Sequence, residues 1–342
     1  MKSQPVALKA AEHFLARFTD PEADFDELAL EAFRLQAAAN PVYRAYLQAL
    51  GLRPEAVCSW RQIPPLPVEA FRYGPVCVGP PEEAELIFQS SGTSGSLRSR
   101  HYVRDRRFYD RSALEHFRRL LGSGPFVFAA WLPGYVERPD ASLLYMVERL
   151  MEAFGEEGSA FVYPDPDRLQ GLAERAHRRG CPFVLFGAAF GLLDLLETYG
   201  PLALPPDSLV IETGGMKNRR RELDRQTLHH LLAEGFRLPR ERIWSEYGMT
   251  ELLSQAYTRG GTVFYPPPWM RFRVVDPEDP LGPDRPEGEP GALLLFDLAC
   301  YWSVCAILTQ DRAVRRGEGF EVLGRLAGAP LRGCNLLLES DL

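Results

Sequence analysis

The residues best suited to chemistry in this sequence begin in a run of small polar side chains, "SSGTSGS" (90–96). An apolar segment typical of a strand, "AELIFQ" (84–89), precedes the run, and helical spacing resumes at 106–122. Glycine lets backbone N–H groups approach an anion, and the hydroxyls of serine and threonine add donors. The order strand, loop, helix favours a phosphate-binding loop. The Walker A pattern is absent, however, and a plain solvated loop has the same composition.

Two later segments place polar groups at predicted strand ends. "IETGGMK" (211–217) ends a strand at Gly214 and Gly215, where backbone can face a ligand. "SEYGMTE" (245–251) ends a strand at Tyr247, whose ring can stack on a base, and continues to Thr250 and Glu251, which suit Mg²⁺ beside phosphate. The plainer interpretations are a turn at the glycines and a helix cap at Thr250 or Glu251. Because ligands bind at the carboxyl edge of a parallel sheet, the three segments together favour function.

The elements that must position these groups alternate between strand and helix up to about residue 254. This alternation predicts an α/β fold of mostly parallel sheets flanked by helices. Apolar residues at three- and four-residue spacing predict helices over 5–50. Short strands between Gly and Pro turns predict a β-rich subdomain near the C-terminus. The predicted division is 1–60, an N-terminal helical segment; 61–254, an α/β region; and 255–342, the β-rich subdomain.

Composition excludes several classes of protein. The 342 residues carry a net charge of −7, which does not resemble the basic footprint of a nucleic-acid binder. No apolar run is long enough for a membrane span, and the N-terminus has no secretory apolar region, so we expect a cytoplasmic protein. The six Cys lack CxxC pairs, so a zinc site is not indicated and we expect free thiols.

Five short motifs, taken in order, resemble those of the adenylate-forming superfamily, which includes acyl-CoA ligases and phenylacetate-CoA-ligase-like enzymes. They are "SSGTSGS" (90–96), "ETGG" (212–215), "SEYGMTE" (245–251), "TQD" (309–311) and "LGR" (323–325). The stretches "WLPGYVERPDASLLYMVERLM", "FGAAFGLLDLLE" and "GRLAGAPLRGCNL" look most like the acyl-protein synthetases of bacterial bioluminescence, the LuxE type. The resemblance spans residues 60–340, and it implies that 61–254 binds nucleotide and acyl group and that 255–342 ends in a truncated hinge tail.

The resemblance implies a phosphate and metal site. In it, Thr250 and Glu251 would hold phosphate and Mg²⁺, with Glu251 as the metal ligand. The loop residues that would hold the phosphates of ATP are Ser90, Ser91, Gly92, Thr93, Ser94 and Gly95.

The resemblance also implies how the rest of the nucleotide is bound. Tyr247, with Gly248 beside it, would pack on adenine, and Asp311 would accept hydrogen bonds from the ribose hydroxyls. Arg325 would lie near ribose or phosphate at the domain hinge. Gly214 and Gly215 would line the adenine and acyl pocket.

The sequence departs from the superfamily pattern in two places. The loop usually carries a Lys near its end, where this chain has Arg98, Arg100 and His101. His101 could donate to carboxylate or phosphate, or could be a surface histidine in an Arg-rich turn. The superfamily's C-terminal domain, with its catalytic Lys, does not follow Arg325. The LuxE-type branch also lacks that domain.

Cys334, in "LRGCNLLLE", matches by position the acyl-accepting Cys that LuxE-type enzymes carry near the C-terminus. A thiolate is a strong nucleophile toward an acyl-adenylate, and Arg332 beside it could lower the pKa of the thiol. The alternative is a structural residue, because Cys is often buried and the equivalent position is apolar in phenylacetate-CoA-ligase-like chains. The remaining Cys lie in apolar runs and are expected in the core.

The resemblance implies ATP-dependent activation of a carboxylate to an acyl-adenylate, followed by acyl transfer to a thiol, with ATP and Mg²⁺ as cofactors. The expected partners are a small carboxylic acid, fatty or aryl, and an acyl-acceptor or reductase protein; neither nucleic acid nor membrane is expected. The alternatives are an aryl- or acyl-CoA ligase, a non-ATP acyltransferase, and an inactive protein that binds nucleotide or acyl group.

Overall fold

The computed structural model describes residues 4–90, 97–134, 138–214 and 223–326, with side chains from residue 8 onward. Three helices open the chain, as predicted: α1 (Gln4–Arg17), α2 (Phe25–Ala39) and α3 (Pro41–Ala49). Asn40 separates the last two, and its side chain accepts hydrogen bonds from the first backbone N–H groups of α3. Its amide also donates to the carbonyl of Ser303 (3.0 Å), which ties the helical segment to the far end of the chain.

A short strand, a single helical turn and a hairpin follow. They are β1 (Leu66–Pro67), α4 (Ala70–Tyr73), β2 (Leu86–Gln89) and β3 (Arg100–Val103). β2 and β3 pair antiparallel and form a sheet of their own. The predicted order strand, loop, helix is therefore wrong: the polar loop connects two hairpin strands, and the helix begins only after β3. β2 also lies outside the parallel sheet that was expected to contain it.

The middle of the chain forms the predicted α/β unit. Its sheet has the order β5-β4-β6-β7-β8-β9, parallel throughout except for the last pair. The elements are α5 (Arg107–Leu121), β4 (Val127–Trp131), α6 (Ser142–Phe154), β5 (Ala160–Phe161), α7 (Pro166–Arg179), β6 (Phe183–Ala188), α8 (Ala189–Tyr199), β7 (Leu209–Thr213), α9 (Arg225–Phe236), β8 (Ile243–Tyr247) and β9 (Ala256–Tyr257).

Both faces of this sheet are buried, as parallel sheets require. Phe128 and Phe186 belong to a large core shared with α5 and α6, whereas Leu185 belongs to a second core on the other face, with α7, α8 and α9. The large core also takes in Phe33 of the first segment and Phe296 of the last, so all three predicted segments contribute to it. The boundaries at residues 60 and 254 remain predictions.

The end of the chain is β-rich, as predicted. Its strands are β10 (Val263–Phe264), β11 (Met270–Val275), β12 (Gly291–Asp297), β13 (Ala306–Arg316) and β14 (Gly319–Arg325). They pair antiparallel in the order β10-β14-β13-β12-β11, and β1 joins β13 in parallel. Because this sheet and the hairpin are antiparallel, the prediction of mostly parallel sheets holds for the α/β unit and is not confirmed for the molecule as a whole.

The thiols and helices of the described residues fit the predictions in part. Cys77, Cys300 and Cys305 are buried, whereas Cys58 is exposed and Cys181 half-buried, so the core placement is wrong for Cys58. All five are free thiols. Within the described ranges, no helix is both long and apolar enough to cross a bilayer.

Candidate active site

Three residues that the sequence motifs singled out meet where the α/β unit contacts the antiparallel sheet. Tyr247 ends β8, and its hydroxyl donates to Oδ2 of Asp311 (2.7 Å). Nη1 of Arg325 donates to Oδ1 of the same carboxylate (2.9 Å). Asp311 and Arg325 face each other in the register of β13 and β14, so sheet pairing sets this contact. The result is a carboxylate held between a phenol and a guanidinium.

The ring of Tyr247 is held by two phenylalanines. Its centroid lies 5.6 Å from that of Phe264 and 5.4 Å from that of Phe320, both edge-on. Phe264 and Phe320 stack on each other at 5.7 Å, so the three rings form one cluster. Edge-to-face packing of this kind fixes the plane of an aromatic ring. The half-buried ring is therefore positioned without a ligand.

Thr250 and Glu251 follow in a short segment anchored by a buried carboxylate. Oδ2 of Asp297 accepts from the backbone N–H groups of Leu253 (3.0 Å) and Ser254 (2.9 Å), and Oδ1 accepts from the hydroxyl of Ser254 (2.6 Å). Glu251 is fully buried and Thr250 is half-buried. Asp297 therefore fixes the course of the backbone directly after the two predicted phosphate and metal residues.

His101 lies inside the protein, only 1% exposed, so its interpretation as a surface histidine is wrong. Nδ1 lies 2.9 Å from the carbonyl oxygen of Thr250, and Nε2 lies 2.9 Å from Oγ of Ser303. A carbonyl only accepts, so Nδ1 carries the proton and Nε2 accepts from the serine hydroxyl. Burial lowers the pKa of His101 to about 4, which keeps the ring neutral at neutral pH. Donation to substrate carboxylate or phosphate remains a prediction, and both nitrogens already serve protein atoms.

The polar loop starts from a well-anchored residue. Ser90 exchanges hydrogen bonds with Ser99 across the base of the loop: its N–H donates to the carbonyl of Ser99 and its Oγ accepts from the N–H of Ser99, both at 3.0 Å. Nη2 of Arg138 donates to the carbonyl of Gln89 (3.1 Å), and its guanidinium pairs with Asp140. Arg98 and Arg100, proposed in place of the loop Lys, have exposed side chains beyond the loop. Ser91, Gly92, Thr93, Ser94 and Gly95 lie outside the described residues.

A pocket of about 130 Å³ opens between the start of the loop and Gly214, which directly follows β7. Gly214 has a φ of +84°, in the region that favours glycine, so the turn at this edge depends on it. The start of α6 contributes further walls of the pocket, with Ser142, Leu143 and Met146. The polar lining residues include Gln89, Arg138, Thr213, Glu246, Thr250 and Gln255.

Glu246 is the buried carboxylate of this pocket, 8% exposed. Thr213, its partner in the register of β7 and β8, donates a hydrogen bond to Oε2. Burial raises the pKa of Glu246 to about 7, and the nearby Glu212 adds to the rise. Gly248 makes room for the carboxylate, since a Cβ there would lie 2.3 Å from Oε1.

The sequence motifs identified the residues that contact Asp311 but missed two charged residues that line the pocket. They placed Tyr247, Asp311 and Arg325 in one site, and the structure brings them together. They passed over Glu246, although that residue lies inside the quoted "SEYGMTE", and over Arg138 in "WLPGYVERPD". A charged residue in an otherwise buried strand was the signal for Glu246. Gly215 and Cys334 lie outside the described residues.

Comparison with solved structures shows that this chain has the fold of adenylate-forming ligases. A crystal structure of 2-hydroxyisobutyryl-CoA ligase in the postadenylation state matches with a TM-score of 0.64 at 13% identity, over 90% of this chain and 69% of that one. ATP-bound MatB from Rhodopseudomonas palustris matches with a TM-score of 0.51 at 19% identity, over 70% of this chain and 47% of that one.

Comparison of sequences identifies a relative as well. The chain is similar to a long-chain-fatty-acid–luciferin-component ligase from Vibrio harveyi, with 26% identity over an alignment 337 positions long, gaps included, that covers 90% of this chain and 85% of that one. No protein-family model matches the chain. These matches confirm the predicted resemblance to adenylate-forming enzymes of the LuxE type and the prediction of a ligase.

Proposed function

We propose that this protein activates a carboxylic acid with ATP, forming an acyl-adenylate and pyrophosphate, and then transfers the acyl group to a thiol. The observation that carries the proposal is the contact of Tyr247, Asp311 and Arg325 beside a pocket lined by Thr250 and Gly248. An aromatic ring, a carboxylate and a hydroxyl at one sheet edge match the base, ribose and phosphate of a nucleotide. The similarity to a ligase supports the same assignment.

Tyr247 and Asp311 would bind the nucleoside. Phe264 and Phe320 pack against Tyr247 at steep interplanar angles, which holds the ring in a fixed plane for stacking on adenine. Asp311 would accept from the ribose hydroxyls, and the ion pair with Arg325 orients that carboxylate. The phosphates would lie on the loop that begins at Ser90.

Thr250 and Glu251 would serve phosphate and Mg²⁺. Nucleotide-bound magnesium is commonly held by one or two carboxylates together with phosphate oxygens, so a single Glu next to a pocket-lining Thr fits that donor set. Within the described residues no three His, Cys, Asp or Glu side chains gather into a metal cluster, so the phosphates would have to supply ligands. When bound, the ion would offset phosphate charge during adenylation.

The acid would bind in the pocket between Gln89 and Gly214. A carboxylic acid is already ionised at neutral pH, so no general base is needed. A carboxylate oxygen attacks the α-phosphorus as the bond from that phosphorus to pyrophosphate breaks. The protein contributes orientation and charge stabilisation, which are the main sources of acceleration in such displacements. A thiolate then attacks the acyl carbon, and AMP leaves.

Two thiols are candidates for the acyl acceptor: Cys334 and an external thiol such as that of coenzyme A. Incubation with ATP and a turned-over acid, followed by mass spectrometry, distinguishes them. If Cys334 is the acceptor, we expect an acyl adduct that Cys334→Ser abolishes while adenylation persists. An adduct of equal yield in Cys334→Ser would contradict that role.

The adenylation proposal is tested by ATP–pyrophosphate exchange over fatty, aryl and short substituted acids. We expect exchange with at least one acid, and a rise in melting temperature with ATP. If no acid supports exchange and ATP leaves the melting temperature unchanged, the proposal is wrong. That result would favour a non-ATP acyltransferase or an inactive binding protein.

A further inference from the structure

We propose that Glu246 makes the pocket selective for short acids that carry a hydroxyl or amino group, which would donate a hydrogen bond to Oε1 of this carboxylate. The inference rests on the proposed function and specifies its substrate class. A long unsubstituted fatty acid would not be the preferred substrate. The contacts of Glu246, the size of the pocket and the character of its walls lead to this assignment.

The contacts of Glu246 leave a position for a ligand. Thr213 is the hydrogen-bond donor that the structure gives this carboxylate, and it serves Oε2. Oε1 points over the Cα of Gly248, at the wall of the pocket. Among the residues that the structure describes, no guanidinium or ammonium group contributes to its electrostatic surroundings, where the neighbouring charge is that of Glu212. A buried carboxylate in such a setting is stabilised by any donor that a ligand brings.

A purely structural role explains only half of this arrangement. The bond from Thr213 joins two residues paired in the register of β7 and β8, so Oε2 helps to hold the strands together. Threonine, serine or glutamine at position 246 could keep that cross-strand bond without burying a charge. The second oxygen, directed at the pocket over a glycine, has no part in the strand pairing.

The pocket suits a short, polar acid. Its volume of about 130 Å³ is below the several hundred Å³ usual for ligand pockets, which suits a molecule of few heavy atoms. Gln89, Thr213 and Gln255 add polar groups to its walls, and Met146 and Leu143 add an apolar side. An alkyl chain placed there would bring no hydrogen-bond donor to Oε1 of Glu246, and Thr213 would remain the donor to Oε2 alone.

The test measures kcat/KM for ATP–pyrophosphate exchange with matched acids. The set is butyrate, 3-hydroxybutyrate, 4-aminobutyrate and dodecanoate, with the wild type, Glu246→Leu and Glu246→Gln. The wild type should favour a hydroxy or amino acid over butyrate by about 10- to 100-fold, the range expected for one hydrogen bond to a buried charged group. Glu246→Leu should bring this ratio close to 1. Glu246→Gln should lower kcat/KM for the amino acid more than kcat/KM for the hydroxy acid.

The matched control is Glu241→Gln, the same change on an exposed residue just before β8, and it should preserve every ratio. Butyrate or dodecanoate turned over by the wild type as well as the substituted acids would overturn the inference and leave adenylation standing. A ratio unchanged in Glu246→Leu would also overturn it. If Glu246→Leu fails to fold, the wild-type ratios and Glu246→Gln decide. Absence of exchange with every acid would overturn the proposed function and this inference with it.

Discussion

At the scale of single residues, Tyr247 offers two separable contributions, a ring and a hydroxyl. Tyr247→Phe keeps the ring between Phe264 and Phe320 and removes the donor to Asp311. Loss of one such hydrogen bond costs about 1 kcal/mol, so we expect the KM for ATP to rise by roughly fivefold. Tyr247→Leu removes the stacking face as well and should raise it further. The measurement is KM for ATP in the exchange assay.

The control for this pair is Tyr265→Phe, which removes a hydroxyl from a tyrosine that is 43% exposed and should leave KM unchanged. Equal KM values for Tyr247→Phe and Tyr247→Leu would show that the ring does not contact the nucleotide. An unchanged KM in both variants would remove Tyr247 from the site.

Residues such as Tyr247, Asp311 and Arg325 could be predicted because each lies in a short local motif. Glu246 and Arg138 could not be assigned in the same way. Their role depends on which strand end, loop and helix start face one another, and that is set by long-range pairing. His101 shows the same limit: polar neighbours in sequence suggested the surface, whereas a hairpin strand carries it into the core.

At the scale of elements, Asp297 joins the end of β12 to the segment that carries Thr250 and Glu251. Asp297→Asn keeps the shape but removes the charge, and an amide cannot accept at both positions. Because a buried donor left unpaired costs about 1–3 kcal/mol, we expect the free energy of unfolding to fall by at least that amount. We also expect kcat for exchange to fall more than KM for ATP changes, since Thr250 loses its fixed position.

Urea unfolding and exchange kinetics measure the two effects. Asp207→Asn is the control, because its contact with Arg242 is an exposed pair of the kind that contributes little. A stable Asp297→Asn variant with unchanged kcat would show that the segment holds its course without this carboxylate.

The elements themselves were predictable where sequence periodicity is local. The alternating apolar strands and amphipathic helices of the α/β unit gave a correct element order, and β4, β6, β7 and β8 pair in parallel. The hairpin of β2 and β3 was missed because "RHYV" is only four residues long and carries two polar residues. Pairing with β2, rather than propensity, makes it a strand.

At the scale of the whole molecule, buried histidines make stability depend on pH. Burial lowers the pKa of His101 to about 4 and that of His116 to about 3, both below the ordinary value near 6.5. Between each lowered pKa and 6.5, the unfolded chain binds a proton at that histidine that the folded protein does not. The free energy of unfolding therefore falls as the pH drops through this range. Glu246 acts in the opposite sense between its ordinary pKa and about 7, because its folded form holds a proton longer.

The two histidines change proton binding in one sense and the single glutamate in the other. These groups together therefore make the free energy of unfolding rise between about pH 4.5 and 6.5. One proton corresponds to about 1.4 kcal/mol per pH unit, and the shift of His101 amounts to about 3 kcal/mol in all. His101→Gln should therefore flatten the profile by about one proton, whatever its effect on absolute stability. The measurement is urea unfolding at several pH values, with the exposed His230→Gln as control. Parallel profiles for the wild type and His101→Gln would mean that His101 has the same pKa folded and unfolded, and hence that it is protonated in the folded protein over this pH window. In that case it could not accept from Ser303 while donating to Thr250.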